Sequence, residues 1–344
     1  MKPPQNGSKN TLTNSPLATN TPMSQKNTHP SFFKELDKFL LSLPDTPEKS
    51  TASESLLASY INHYSMDLVS EGIASHHAIW KTEINDFCIV QQRWQATKTN
   101  GKVLILAHGY FDHSALYGKL IRWGLEQGYS IHSFDLPGHG LSSGKPAAIN
   151  HFNEYSEVLS TIIQKENYTE YSLIGQSTGC AVILNTLLNE QLRPRLGHMP
   201  EQITLLAPLV RTFYWHRLRW LYFLLKIVIK SIKRTFVKSS HDEAFNDFLK
   251  KNDPLQTRQI PLCWLGAMDN WIKAIKQFPS VETIPTTIIQ GTDDSTVDWH
   301  YNHPQIERCL PQTKTHFIDN ACHHLVNESN PYWNDLIRCL NQHY

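Results

Sequence analysis

Short apolar runs alternate with helical patterns through the middle of the chain. Val103-Leu-Ile-Leu-Ala107 is apolar at every position, as in a strand buried on both faces. Gly128 to Asp135, Tyr171 to Ile174, Ile203 to Ala207, Ile284 to Gly291 and Lys314 to Ile318 read as further strands. Helical spacing fills the intervals at Ala115 to Gln127 and Asn153 to Lys165. It returns from Thr178, with Val182, Ile183, Leu187 and Leu188 apolar, and near Tyr332 to Asn341. Ala78 to Lys81 and Cys88 to Ala96 read as a hairpin ahead of this alternation. The pattern predicts an α/β class fold, a mostly parallel central sheet with helices on both faces.

The ends and one interior stretch depart from it. Residues 1–30 are rich in Asn, Ser, Thr, Pro and Lys and read as a disordered N-terminal tail. Ser31 to Leu43 carries apolar residues at Phe32, Leu36, Phe39, Leu40 and Leu43, and a second helix spans Glu54 to Tyr64, so 31–76 reads as a helical N-terminal extension. The core then falls in two parts, 77–207 and 284–344, and residues 208–283 read as a helical cap, or lid, inserted between them. Within the insert, Trp215 to Val237 places Arg219, Lys226, Lys230 and Lys233 at helical spacing. That leaves a broad apolar face including Leu221, Leu224 and Leu225, candidate lid residues for substrate.

Charge and cysteine usage narrow the function. Thirty-two basic against 31 acidic residues gives no reason to expect nucleic acid as a partner. The six cysteines are scattered without a C-x-x-C pair, which points to free thiols and a cytoplasmic, reducing location. Metal-binding spacings such as H-E-x-x-H are absent, so neither a metal site nor a cofactor is expected. No apolar run reaches the ~20 residues of a membrane span, and no secretory h-region follows the early lysines. Membrane contact, if made, is peripheral and through the lid.

The chemistry gathers around Gly175-Gln176-Ser177-Thr178-Gly179, a G-x-S-x-G between a strand and a helix. Such a turn exposes a serine hydroxyl and aims the helix N-terminus at the reacting centre. His108, Asp135 and Gly175 all fall at carboxyl ends of expected strands, where ligands bind in such sheets.

Four separated pieces resemble an α/β-hydrolase of the monoacylglycerol lipase and lysophospholipase branch. They are His108-Gly-x-x-x-His113-Ser, Asp135-x-Pro-Gly-His-Gly-x-Ser-x-Gly144, the serine turn, and Gly291-x-x-Asp294-x-x-Val297 followed by His323 and Glu328. The resemblance implies the α/β-hydrolase fold and a Ser177, Asp294, His323 triad, in the chain order of nucleophile, acid and histidine. It also implies an oxyanion hole from the backbone N–H groups of Tyr110 and Thr178. Family spacing selects Asp294 over Asp293 and His323 over His324, and it leaves His108, His113 and His139 as structural loop residues. Gln176 stands where the family usually has histidine, and Thr178-Gly179-Cys180 stands where it usually has Met-Gly-Gly. The expected activity is serine ester hydrolysis of monoacylglycerols or lysophospholipids through an acyl-enzyme. The alternatives are a small-ester esterase, a peptidase, or a non-catalytic binding member of the fold.

Overall fold

The computed structural model describes residues 31–48 and 54–344, and the expected tail at 1–30 lies outside the described residues. Helices α1 (Ser31–Lys34), α2 (Leu36–Ser42) and α3 (Glu54–His63) precede a hairpin of β1 (Ala74–Ile84) and β2 (Phe87–Ala96). Then come β3 (Val103–Ala107), α4 (Gly118–Glu126), β4 (Ser130–Phe134), α5 (Phe152–Glu166), β5 (Tyr171–Gln176), α6 (Thr178–Leu188) and β6 (Ile203–Leu206). The helix expected from Ser31 to Leu43 is interrupted at Glu35, which leaves helical geometry (φ −119°, ψ 33°).

Between β6 and the next core strand lie α7 (Trp215–Leu225), β7 (Ser231–Lys233), α8 (Glu243–Asp247), a π-helical turn (Phe248–Asn252), β8 (Gln259–Pro261) and α9 (Leu262–Ile275). The insert is therefore not wholly helical, since β7 and β8 pair as an antiparallel ribbon. The expected helical run through Lys233 stops at Leu225. Ile227-Val-Ile229 follows, and β-branched residues favour extended structure over helix. Strands β9 (Thr286–Gly291) and β10 (Thr313–Ile318) and helices α10 (Trp299–Cys309) and α11 (Asn330–Leu340) complete the body.

The main sheet has eight strands in the order β1-β2-β4-β3-β5-β6-β9-β10. Both pairings of β2 are antiparallel, and every pairing from β4 across to β10 is parallel. Alternate residues of one strand feed opposite layers. Leu173 and Leu205 pack with α5 and α6, whereas Ile174 and Leu206 pack with α4, α11 and the N-terminal helices. That two-sided burial explains why the central strands are apolar throughout.

The N-terminal helices are built into the second layer. Phe32, Phe39, Tyr60 and Tyr64 are buried there, with the Phe32 and Tyr60 rings edge-to-face at 5.3 Å. Polar contacts reach further: Tyr64 Oη donates to Asp253 Oδ1 (2.8 Å) in the insert, and Lys81 N donates to Pro44 O (2.8 Å) on the edge strand.

Candidate active site

The serine turn is held from below by backbone bonds. Ser177 N donates to Leu206 O (2.9 Å), and Ser177 O accepts from Cys180 N (3.0 Å) and Leu209 N (3.2 Å). Ser177 takes φ 54° and ψ −111°, a conformation that costs a non-glycine residue about 1–3 kcal/mol and persists only where its surroundings enforce it. Gly179 is one enforcing contact: a Cβ there would sit 2.0 Å from Ala107 O on the neighbouring strand. Gly179→Ala should displace α6 from β3 and lower stability by more than the ~1–3 kcal/mol usual for overpacking, because the obstacle is backbone. A denaturant melt of the variant checks this.

The segment His108–His113 faces the serine turn. Its carbonyls and amides are fixed by side chains: Gly109 N donates to Tyr117 Oη (2.9 Å), and Tyr117 Oη donates to Asp112 Oδ2 (3.0 Å). Gln256 Nε2 donates to Phe111 O (2.8 Å), holding Phe111 at φ 69°. The Tyr110 ring stacks on Trp264 of α9 at 3.9 Å. Tyr110 and Thr178 both line the cavity above Ser177, the places expected for oxyanion donors.

The Asp135-x-Pro-Gly-His-Gly loop supports this segment from behind. Buried Asp135 accepts from Ser114 N (2.8 Å) and Leu141 N (2.8 Å). His108 Nε2 accepts from Leu136 N (2.9 Å) while its Nδ1 donates to Gly109 O (2.8 Å), which sets a neutral tautomer. Burial also keeps His139 neutral, pushing it down to about 3. His113 differs, since its Nε2 meets Asp253 Oδ2 at 3.1 Å in full burial. Burial opposes its charge, but Asp253 outweighs it and holds His113 above the usual histidine value.

His323 and Asp294 are brought together from different loops, with Nδ1 2.8 Å from Oδ2. The Asp294 carboxylate also accepts from Thr296 N (2.8 Å), Val297 N (3.1 Å) and Gln290 Nε2 (3.0 Å). Burial disfavours its charge, yet His323 and these donors hold it below the ordinary carboxylate range. Burial likewise opposes a charged His323, but Asp294 prevails and raises the imidazole. Gln176 Nε2 donates to His323 O (2.9 Å), so the residue in place of the usual histidine ties the serine turn to the histidine loop.

The rival residues have other partners. Asp293 is exposed, and its N–H donates to Ala321 O (3.0 Å). His324 Nε2 meets Asp112 Oδ2 at 3.0 Å, a second buried imidazole–carboxylate contact on the same cavity wall. These two lie 212 residues apart, so no local pattern in the sequence pairs them.

Ser177 and His323 line one cavity of about 550 Å³. Its apolar wall comes from Leu209, Leu218, Ile232, Val237, Leu265 and Met268. None of Leu221, Leu224 and Leu225 is on that wall. Leu225 is half-buried against the hydrophobic cluster that includes α9, and Leu224 points outward, 53% exposed. Arg234, not singled out from sequence, is on the wall. It donates to Gln256 Oε1 (2.6 Å) and Thr257 O (3.2 Å) and lies 3.9 Å over the Phe111 ring. Burial pushes it down to about 10, so it stays charged at neutral pH.

The arrangement offers a serine at a helix N-terminus, an imidazole oriented by an ionised carboxylate, and a chamber that combines an apolar wall with the charged side chains of Arg234, Lys238, Lys250, Glu243 and Asp247. Residues 98–330 match the family described as Serine aminopeptidase, S33. Human monoglyceride lipase is 23% identical over 253 residues, which cover 69% of this chain and 80% of that protein. A probable lysophospholipase L2 of Haemophilus influenzae is 22% identical over 266 residues, covering 70% and 82%. Among solved structures, a soluble variant of monoglyceride lipase from Saccharomyces cerevisiae, in complex with a substrate analog, superposes with a TM-score of 0.65. It is 15% identical, and the match covers 76% of this chain and 92% of that one.

Proposed function

The chain belongs to the serine aminopeptidase S33 family of α/β-hydrolases, and from that premise we propose that it cleaves carboxylic esters of lipids through Ser177, Asp294 and His323. The observation that carries this is the strained Ser177, which opens with His323 into a chamber whose exposed surface is mainly apolar. His323 takes the Ser177 proton as Oγ adds to the ester carbonyl, and the oxyanion meets the N–H groups of Tyr110 and Thr178. The alcohol leaves with that proton. Water, deprotonated by His323, then releases the acid, and Asp294 stabilises the imidazolium in both halves.

Between the two lipid classes, Arg234 favours lysophospholipid over monoacylglycerol. A guanidinium whose hydrogen bonds go to neutral acceptors can hold a phosphate bidentately. A panel of short aryl esters, monoacylglycerols and lysophospholipids tests the assignment. Arg234→Gln should raise KM for lysophospholipid and leave a short neutral ester unchanged. Aminoacyl amides belong in the panel, because Glu243 and Asp247 share the cavity wall. Faster turnover of amides than esters would replace the lipid reading with a peptidase.

The surface of the cap supports peripheral membrane contact. Trp220 (67%), Ile227 (88%) and Val228 (79%) are exposed, beside exposed Lys226, Lys230 and Lys233. Among the described residues no helix is long and apolar enough to cross a membrane. Changing Trp220, Ile227 and Val228 to serine should weaken binding to anionic vesicles about tenfold or more, since burying one such side chain is worth about 1.5–3 kcal/mol. Hydrolysis of a short soluble ester should persist. Unchanged vesicle binding, read by co-sedimentation, would exclude this patch.

A further inference from the structure

Beside the triad, on the outer side of the loops that carry it, three potential ligand atoms converge. His241, Asp293 and Cys322 each offer one, and these atoms all lie within 4.8 Å of one another. They come from three separate segments: the loop between β7 and α8 inside the insert, the loop after β9 and the loop after β10. Asp293 adjoins Asp294 and Cys322 adjoins His323.

The imidazole is oriented for ligation by a buried carboxylate behind it. Glu328 Oε1 lies 3.1 Å from His241 Nδ1 and accepts from Cys322 N (2.8 Å). Its Oε2 accepts from His241 N (2.8 Å), Ser329 N (3.0 Å) and Ser240 Oγ (3.2 Å). Both oxygens are thus filled with donors, so Glu328 is ionised and accepts a hydrogen bond from His241 Nδ1–H. That leaves the Nε2 lone pair directed away from Glu328. A carboxylate on the far nitrogen is the arrangement that orients ligating histidines and raises their basicity. Ring stacking on Tyr332, at 4.7 Å, fixes the plane.

The thiol is in reach. Cys322 Sγ is 3.6 Å from Nδ1 and 3.9 Å from Nε2 of His241. Tetrahedral zinc with ordinary Zn–S and Zn–N bonds sets its sulfur and nitrogen about 3.6 Å apart. Closing onto Nε2 therefore needs a shift of a few tenths of an ångström.

We propose that His241, Asp293 and Cys322 bind one divalent cation of the zinc class, with water in the fourth position. Thiolate and imidazole together select Zn²⁺ or Co²⁺ over Mg²⁺ and Ca²⁺. The Cys322 proton passes to solvent as the ion enters. Bound metal then fastens the β7–α8 loop of the insert to the loops that hold Asp294 and His323, so the same ion restrains the insert and the triad.

Cobalt titration of the full chain under thiol-free reductant tests this without reference to activity. A thiolate-to-Co²⁺ absorption band should rise to one equivalent and disappear on adding Zn²⁺. Cys322→Ser should abolish the band. Asp293→Asn, at an exposed position that does not endanger folding, should weaken Co²⁺ binding by about tenfold or more, as should His241→Ala. Cys263→Ser, at an exposed cysteine elsewhere, should leave it intact. Zinc should also slow amide exchange across 238–242, 292–294 and 320–324. A missing band, a band surviving Cys322→Ser, or affinity indifferent to Asp293 overturns the site; unchanged exchange overturns the fastening.

Discussion

Ser177→Ala should abolish labelling by a fluorophosphonate and lower kcat on every accepted ester by about 10⁴-fold or more, with the fold intact. The probe phosphonylates only a serine whose proton a nearby base can take, and Ser177 shares its cavity wall with His323. Alanine tolerates φ 54° no better than serine, so the strain at the turn stays and the melting temperature should hardly move. That separates loss of chemistry from loss of structure. Folded wild-type protein that resists the probe would move the chain to the binding-member reading.

Asp294→Asn should cost about 10⁴-fold in kcat, because an amide facing His323 Nδ1 enforces the wrong tautomer and cannot stabilise the imidazolium. It should also move the pH profile. His323 works as a base only when neutral, so activity falls as pH drops through its raised pKa. Asp294 supplies the increase against burial, and without its charge the acid limb of the residual activity should slide to lower pH. Asp293→Asn, measured without added metal, should cost far less. His323→Ala should likewise exceed His324→Ala in kcat. His324→Ala leaves Asp112 buried without its imidazole partner, so its loss should appear in stability, on the order of 3–5 kcal/mol. The reverse ranking in either pair would show that family spacing selected the wrong neighbour.

The parallel strands and the serine turn were legible because their signals are local: Val103 to Ala107 is apolar throughout, and Gly175 to Gly179 is contiguous. What escaped depends on distance along the chain. Asp112 with His324, His113 with Asp253, and Arg234 beside Phe111 are met only when the chain closes. Helix α10 was missed because Trp299-His-Tyr-Asn-His-Pro-Gln is polar and interrupted by Pro304, leaving little apolar periodicity. Between core strands β6 and β9, the lysine spacing of the intervening stretch suggested one long helix. There Ile227-Val-Ile229 outweighed charge spacing.

Tyr64 and the hairpin carry a consequence for where the protein can be cut. The stretch shared with the family begins at residue 98, but β2 covers one edge of β4, and Tyr64 supplies a donor to buried Asp253. A fragment confined to the shared stretch would expose β4 as an open edge, ready to pair with other chains. It would also uncover Leu104, Leu116 and Ile131. The smallest cooperative folding unit therefore begins near Phe32, and loosening the N-terminal helices by heat or proteolysis should disturb Asp253 and the Gln256 contact that holds Phe111 on the cavity wall before the central sheet melts.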